Sequence, residues 1–332
     1  MPAIRVTVLG AGSFGTTIAA LTAPRHPTTL WARDEALARE VREKRTNGRY
    51  LAGFLLPDSL NATADLEEAV TSADVVVVGV PSHGFRDVLE RAAPFVRPWV
   101  PVVSLTKGFE AGTLKRMTEV IAELLPGHPA AALSGPNLAK EIMAGQAAAS
   151  VIATKDLAVA AELQAVLRRG VFRLYTNHDV IGCEVAGALK NVVAIAAGMA
   201  QGVGAGDNTR AAVISRGLAE LTRLGVALGG EPQTFAGLAG VGDLVATCMS
   251  PQSRNRWVGE QLGKGRQLAD ILAEMTMVAE GVKTAGTAMQ LAARHGVEMP
   301  ICGVIERVID GELSATDAYR GLRPAGHEAE PG

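Results

Sequence analysis

The sequence predicts a doubly wound α/β sheet followed by a mostly α-helical domain, and three observations carry that prediction. Up to about residue 180, apolar β-branched runs alternate with helical segments, as a parallel sheet covered on both faces requires. A Gly10-x-Gly12-x-x-Gly15 pattern joins the first of those runs to an apolar helix. Beyond Val180 the β-branched runs stop, and apolar residues recur at helical spacing.

Taken in order, the candidate strands are Ile4–Leu9, Thr28–Ala32, Asp74–Val80, Pro101–Leu105, Ala130–Ser134 and Ser150–Ala153. Between them, Asp34–Arg45 and Asp156–Arg169 read as helices with acids first and bases last, matching the helix dipole. Pro24 and Pro27 cut short the helix before the second strand, which leaves that strand's register open by a residue or two. Asn208–Leu228, Glu280–His295 and Pro300–Ile309 read as helices of the second domain. The expected division is therefore a sheet domain over 1–180, a helical domain over 181–322, and a loose tail over 323–332 rich in charge, Pro and Gly.

Composition narrows the function classes. The 332 residues are 48% apolar, enough for two cores. A formal charge of −2 gives no global attraction to nucleic acid or anionic membrane, so a charged ligand must be held locally. With aromatics at 4% and no basic run among them, stacked single-stranded bases are not expected. Cys183, Cys248 and Cys302 are odd in number and far apart, which suits reduced thiols in a cytoplasmic protein. Six scattered histidines form no metal-binding spacing, so no metal site is expected. The N-terminus enters a strand without the features of a signal peptide. The small-residue stretch after Glu184 is long enough to suggest a membrane span, but Lys190 and its many Ala and Gly residues favour a buried helix and no membrane insertion. Oligomeric state is not written in the sequence; a homodimer is compatible with it.

The strongest local signal is the glycine pattern. Gly10 permits the tight turn, Gly12 lets backbone amides approach a pyrophosphate, and Gly15 lets helix and strand pack closely, so a Rossmann-like dinucleotide site is expected. At the end of the second strand stand Arg33 and Asp34. A guanidinium there suits the 2′-phosphate of NADP, while Asp34 serves either an NAD ribose or the cap of the next helix. The balance favours NADP, with NAD as the alternative.

Three further strand ends point at the crevice where open α/β sheets bind ligands: Val80-Pro81-Ser82-His83, Ser104-Leu105-Thr106-Lys107-Gly108 and Ser134-Gly135-Pro136-Asn137. Each is also ordinary turn chemistry. His83 could serve as an acid or base but reads better as the start of a helix. In the second domain, Asp243 is the only acid between Glu231 and Glu260, and Ser253-Arg254-Asn255 follows it. Asp243 could accept from a lysine, and Arg254 and Asn255 could donate to a phosphate; a helix cap and a solvated face are the alternative.

Lys190 lies in Glu184-Val-Ala-Gly-Ala-Leu-Lys-Asn-Val-Val-Ala, where its neighbours one turn away are Ala186, Gly187, Val193 and Ala194. Either the ammonium snorkels to water or pairs with a distant acid, or it is held in an apolar setting for proton exchange.

In order, Gly-Ala-Gly-Ser-Phe-Gly, Leu-Trp-Ala-Arg-Asp, Thr-Lys-Gly, Ser-Gly-Pro-Asn-Leu-Ala, Gly-Ala-Leu-Lys-Asn and Gly-Asp-Leu…Ser-Arg-Asn resemble the bacterial NAD(P)-dependent glycerol-3-phosphate dehydrogenases over about residues 4–320. The resemblance implies reversible reduction of dihydroxyacetone phosphate to sn-glycerol 3-phosphate, a precursor of phospholipids. It implies that Lys190 transfers the proton, with Lys107 and Asp243 beside it in the catalytic group. It further implies substrate contacts at Lys107, Gly135, Asn137, Lys190, Asp243, Ser253, Arg254 and Asn255, with Thr247 a neighbour. Cofactor contacts are implied at Gly10, Gly12, Ser13, Phe14, Gly15, Arg33, Lys107, Ala139, Arg254, Val278 and Glu280. The chain departs from the family at Asn137, where a small hydroxyl residue is common, and at Phe14, often Trp or Tyr. Another two-domain hydroxy-acid or sugar-acid dehydrogenase, or a non-catalytic NAD(P) redox sensor, is the competing reading.

Overall fold

Four consecutive valines, Val75–Val78, illustrate how the sheet is built, because alternate members feed different cores. Val75 and Val77 join Val6, Val8, Ile18 and Leu30 on one face, while Val76 and Val78 join Leu9, Phe85, Val102 and Met117 on the other. Side chains alternate across a strand, so a continuous apolar run is stable only where both faces are covered. In this computed structural model, residues 3–275 and 277–320 are described. The tail expected over 323–332 lies outside them.

Eight strands form one sheet: β1 (Val6–Leu9), β2 (Thr28–Trp31), β3 (Leu60–Thr63), β4 (Val75–Val78), β5 (Val102–Ser104), β6 (Ala130–Ser134), β7 (Ala148–Ala153) and β8 (Phe172–Asn177). Their order is β3-β2-β1-β4-β5-β6-β7-β8. Neighbours run parallel except the antiparallel pair β6 and β7. The second strand's register is fixed with Val6 opposite Thr28 and Leu9 opposite Trp31. Strand order reverses between β1 and β4, the kind of switch point beyond whose carboxyl ends open α/β sheets bind ligands.

The six expected strands are present with slightly different ends, while β3 and β8 were not expected. Both are edge strands; β3, Leu-Asn-Ala-Thr, has no apolar run and is held by its pairing with β2. The expected helices begin one residue later than read, at Glu35 and Leu157, because Asp34 and Asp156 cap them from outside by accepting from Ala36 N at 2.9 Å and Ala158 N at 2.8 Å.

The chain divides into two units. One holds the residues up to Glu110 together with Lys115–Glu184, and the other holds Ala111–Leu114 and the described residues from Val185 onward. In the first, the buried Glu184 carboxylate accepts from Thr118 N at 2.9 Å and from Arg116 Nη1 at 2.8 Å. Burial pushes that carboxyl upward against the pull of Arg116 and Thr118.

The second unit is helical. Val180–Gly202 is long and apolar enough to cross a membrane by length and composition, and its apolar stretch is almost wholly buried, as expected for a core helix. Its small residues allow close packing against the helix Arg254–Gly263: a Cβ on Gly198 would lie 2.0 Å from Arg256 O, and one on Gly259 2.0 Å from Ile195 O. That contact, within one unit, holds Lys190 and Arg254 on backbones fixed against each other.

Candidate active site

The first unit carries the glycine turn. Gly10 has φ +112, and a Cβ there would meet Gly79 O at 2.8 Å; one on Gly15 would meet Gly10 O at 2.1 Å. Only glycine suits these positions. Gly12 precedes the helix Ser13–Thr22, which has no side-chain cap, the form of helix N-terminus that suits an anion. The turn is braced from below by a residue the sequence reading missed. Buried Asn47 donates to Ala11 O at 2.9 Å and Thr16 Oγ1 at 2.8 Å, and accepts from Tyr50 N at 3.1 Å. Asn47-Gly48 reads locally as a mere turn, so its long-range role had no sequence signal. Ser13 Oγ donates to Tyr50 O at 2.5 Å, and Phe14 packs against the core.

Arg33 is exposed just beyond β2 and makes no ion pair or hydrogen bond among the described residues. Asp34, by contrast, is engaged as the cap described above and lies 3.6 Å from Arg49. His83 is the second residue of the helix Ser82–Ala92 and exposed there. Ala139 begins the helix Ala139–Met143.

Lys107, Gly135 and Asn137 come together. Lys107 Nζ donates to Gly135 O at 2.9 Å and to Asn137 Oδ1 at 2.8 Å. Gly135 has φ +133 and no room for a Cβ, which would meet Ser150 Cα at 2.9 Å. Asn137 Nδ2 is buried without a hydrogen-bond partner. A buried donor left open beside an ammonium is the arrangement expected where a ligand oxygen completes the set.

The second unit holds the other cluster. Lys190 Nζ donates to Asp243 Oδ1 at 2.6 Å and to Thr247 Oγ1 at 2.7 Å, and Thr247 Oγ1 donates to Asp243 Oδ1 at 3.2 Å. Lys190 is 6% exposed and Asp243 1%, so each charge relies on the other. An ammonium has three N–H bonds, and two are directed here. A π-helical turn, Leu238–Gly242, delivers Asp243 to the start of the helix Asp243–Met249, which places Thr247 one turn further on the same face. The adjacent Cys248 thiol is pushed up to about 12 by burial, only partly offset by Lys190, so it stays protonated.

Next to Lys190, Asn191 was not singled out by sequence. Its Oδ1 accepts from Asn255 Nδ2 at 2.9 Å, while Asn255 Oδ1 accepts from Gly281 N at 3.0 Å. Asn255, implied as a substrate contact, thus spends its amide between Asn191 and the helix Glu280–His295. Ser253 Oγ caps the helix Arg254–Gly263 by accepting from Arg256 N at 3.2 Å. Arg254 Nη1 donates to Val278 O at 2.6 Å, and Glu280 opens the next helix two residues on.

A model of the NAD-dependent glycerol-3-phosphate dehydrogenase N-terminus matches residues 5–160, and one of the C-terminus of the same family matches residues 179–320. The chain is 56% identical over 331 residues to a glycerol-3-phosphate dehydrogenase [NAD(P)+] of Sphingopyxis alaskensis, covering 99% of each. It is 53% identical over 327 residues to one of Mycobacterium bovis, covering 98% of this chain and 96% of the relative. The crystal structure of a glycerol-3-phosphate dehydrogenase from Coxiella burnetii superposes with a TM-score of 0.93 at 34% identity, covering 96% of this chain and 98% of that one.

Proposed function

Since the chain belongs to the NAD-dependent glycerol-3-phosphate dehydrogenase family, we propose that it reduces dihydroxyacetone phosphate reversibly to sn-glycerol 3-phosphate, with NADPH preferred over NADH. The observation that carries this reading is Lys190, held in two of its three N–H directions by Asp243 and Thr247. A sensor that merely binds a dinucleotide needs no such group.

The residues fit a dinucleotide: Gly10 and Gly15 leave no room for side chains in the turn, and the helix after Gly12 carries no side-chain cap, as a helix N-terminus that takes a pyrophosphate requires. When bound, the cofactor supplies a hydride to the ketone carbon. Lys190 directs its remaining N–H to the ketone oxygen; as the C–H bond forms, the N–H bond breaks and the proton becomes the product hydroxyl. In the reverse direction neutral Lys190 takes that proton back. Lys107 and the open Asn137 Nδ2 donate to substrate oxygen, which polarises the carbonyl or steadies the neighbouring hydroxyl. Arg254, with only one N–H committed to Val278 O, offers the rest to the phosphate. Asn255 and Ser253 hold Asn191 and the helix of Arg254 in place.

The preference for NADPH rests on Arg33, exposed and unengaged, beside an Asp34 already committed to its helix and Arg49. We place the reaction in the cytoplasm, feeding glycerophospholipid synthesis; three buried free cysteines suit a reducing compartment. The test is an initial-rate comparison of NADPH and NADH with dihydroxyacetone phosphate and purified protein. Turnover is expected with both and is faster per unit concentration with NADPH; no turnover with either removes the assignment.

A further inference from the structure

Away from the glycine turn, the first unit has a cationic cleft of about 560 Å³ that none of the dehydrogenase roles uses. Its lining includes Arg25, Arg168, Arg169 and Arg173, with Gln164 and Tyr175. These residues come from three places in the chain. Arg25 follows the helix Ser13–Thr22, Arg168 and Arg169 follow the helix Leu157–Leu167, and Arg173 and Tyr175 lie on the edge strand β8.

The strand explains the last pair. Phe172 and Leu174 point into the core, and the period of two turns Arg173 and Tyr175 the other way, where both are exposed. A helix C-terminus favours cations, which accounts for Arg168 and Arg169. It does not account for Arg25 and Arg173. Among the described residues, none of the four guanidinium groups has an ion pair. Arg25 Nη1 reaches only Arg168 O, at 3.4 Å, and Arg169 Nη1 only Leu21 O, at 3.2 Å. Four like charges therefore converge in a chain whose net charge is −2. Arg25, Arg168 and Arg173 are exposed, so water and salt screen part of their repulsion, and a multivalent anion seated among them would relieve it further.

The cleft is distinct from the dinucleotide turn. The helix Ser13–Thr22 starts at that turn and ends at Arg25's loop, and its ten residues span about 15 Å. The volume lies in the range of small-molecule sites, roughly 300–1,000 Å³. Guanidinium forks match phosphate oxygens in pairs, and the half-exposed Tyr175 ring offers an apolar face beside them.

We propose that this cleft binds a small soluble ligand bearing two or more phosphate groups, independently of the dehydrogenase reaction. Inorganic pyrophosphate is the probe. Calorimetric titrations at low salt would compare the wild type with Arg168→Ala/Arg173→Ala, each with and without saturating NADPH to occupy the glycine turn. The wild type is expected to keep a pyrophosphate site under NADPH, and the double variant to lose affinity by about tenfold or more at unchanged kcat/KM for dihydroxyacetone phosphate. Should the double variant not fold, Arg25→Ala, on an exposed loop, is expected to weaken the same site. Pyrophosphate binding that vanishes with NADPH, or that is equal in wild type and variants, overturns the proposal. So does Arg-dependent binding to phosphatidic acid vesicles with none to pyrophosphate, since the ligand would then be a membrane.

Discussion

Lys190 and Asp243 are separated by 53 residues yet meet at 2.6 Å in a buried ion pair. The first sits on a helix of small residues with no acid one turn away, and the second at the end of a π-helical turn. Taking two charges out of water is unfavourable unless geometry and additional hydrogen bonds offset it. Here the pair is completed by Thr247. Two of the three ammonium N–H directions are thus committed, and the third is the one the proposed reaction would use as its proton donor.

Lys190→Ala is expected to lower kcat by about two to four orders of magnitude, the range for a positioned acid or base, with a smaller change in KM. It also strands Asp243 as an uncompensated buried charge, at a cost on the order of 3–5 kcal/mol. Steady-state kinetics well below the variant's own melting temperature separate the two effects. A folded variant with wild-type kcat would return Lys190 to a structural role.

Thr247 supplies the second anchor for Lys190, so Thr247→Val should let the ammonium swing without removing its charge partner. Loss of a hydrogen bond to a charged group is about 1.5–3 kcal/mol, or roughly 10- to 150-fold in kcat. Thr247→Ser keeps the hydroxyl and is expected to recover most of that loss. A wild-type rate for the Val variant beside an impaired Ser variant would show that the methyl packing of Thr247, not its hydroxyl, matters.

What could be read in the sequence was whatever local physics dictates. The glycine turn, the valine strands and the capped helices follow from periods, caps and steric freedom within a few residues. Phe172–Asn177 escaped notice because an edge strand need cover only one face, so Arg173 and Tyr175 break the apolar run. The candidate residues could be picked out of the sequence one by one, but their partnerships could not. Nothing near Asn255 says that its amide spans Asn191 and Gly281, nor near Asn47 that it braces Ala11. Those contacts depend on how elements distant in sequence pack. Thr247 is the exception, since four-residue spacing from Asp243 on a helix is a local relation.

Acid sensitivity should centre on Asp74. It accepts from Arg5 N at 2.8 Å and Arg5 Nε at 3.2 Å and also pairs with Arg97, tying the approach to β1 to the start of β4. The hydrogen bond from the Arg5 side chain is the main influence holding this carboxyl at about 2, below its ordinary 3.8. A depressed carboxyl stabilises the fold above its unfolded value and loses that contribution as pH falls through the folded one. Urea midpoints of wild type and Asp74→Asn are therefore expected to differ at pH 6 and to converge between about pH 4 and 2. A difference that persists unchanged at pH 2 would mean that the lost stability comes from packing rather than charge.

Arg33 gives the sharpest test of cofactor choice. The guanidinium stands exposed at the end of β2, where the neighbouring carboxylate of Asp34 is occupied in capping and with Arg49. If it grips a 2′-phosphate, Arg33→Ala removes charge-assisted hydrogen bonds that only NADPH can make, worth about 1.5–3 kcal/mol. The KM for NADPH should rise by roughly 10- to 150-fold while that for NADH stays nearly constant. A variant that weakens both cofactors equally would place Arg33 outside the phosphate site and leave discrimination to another residue.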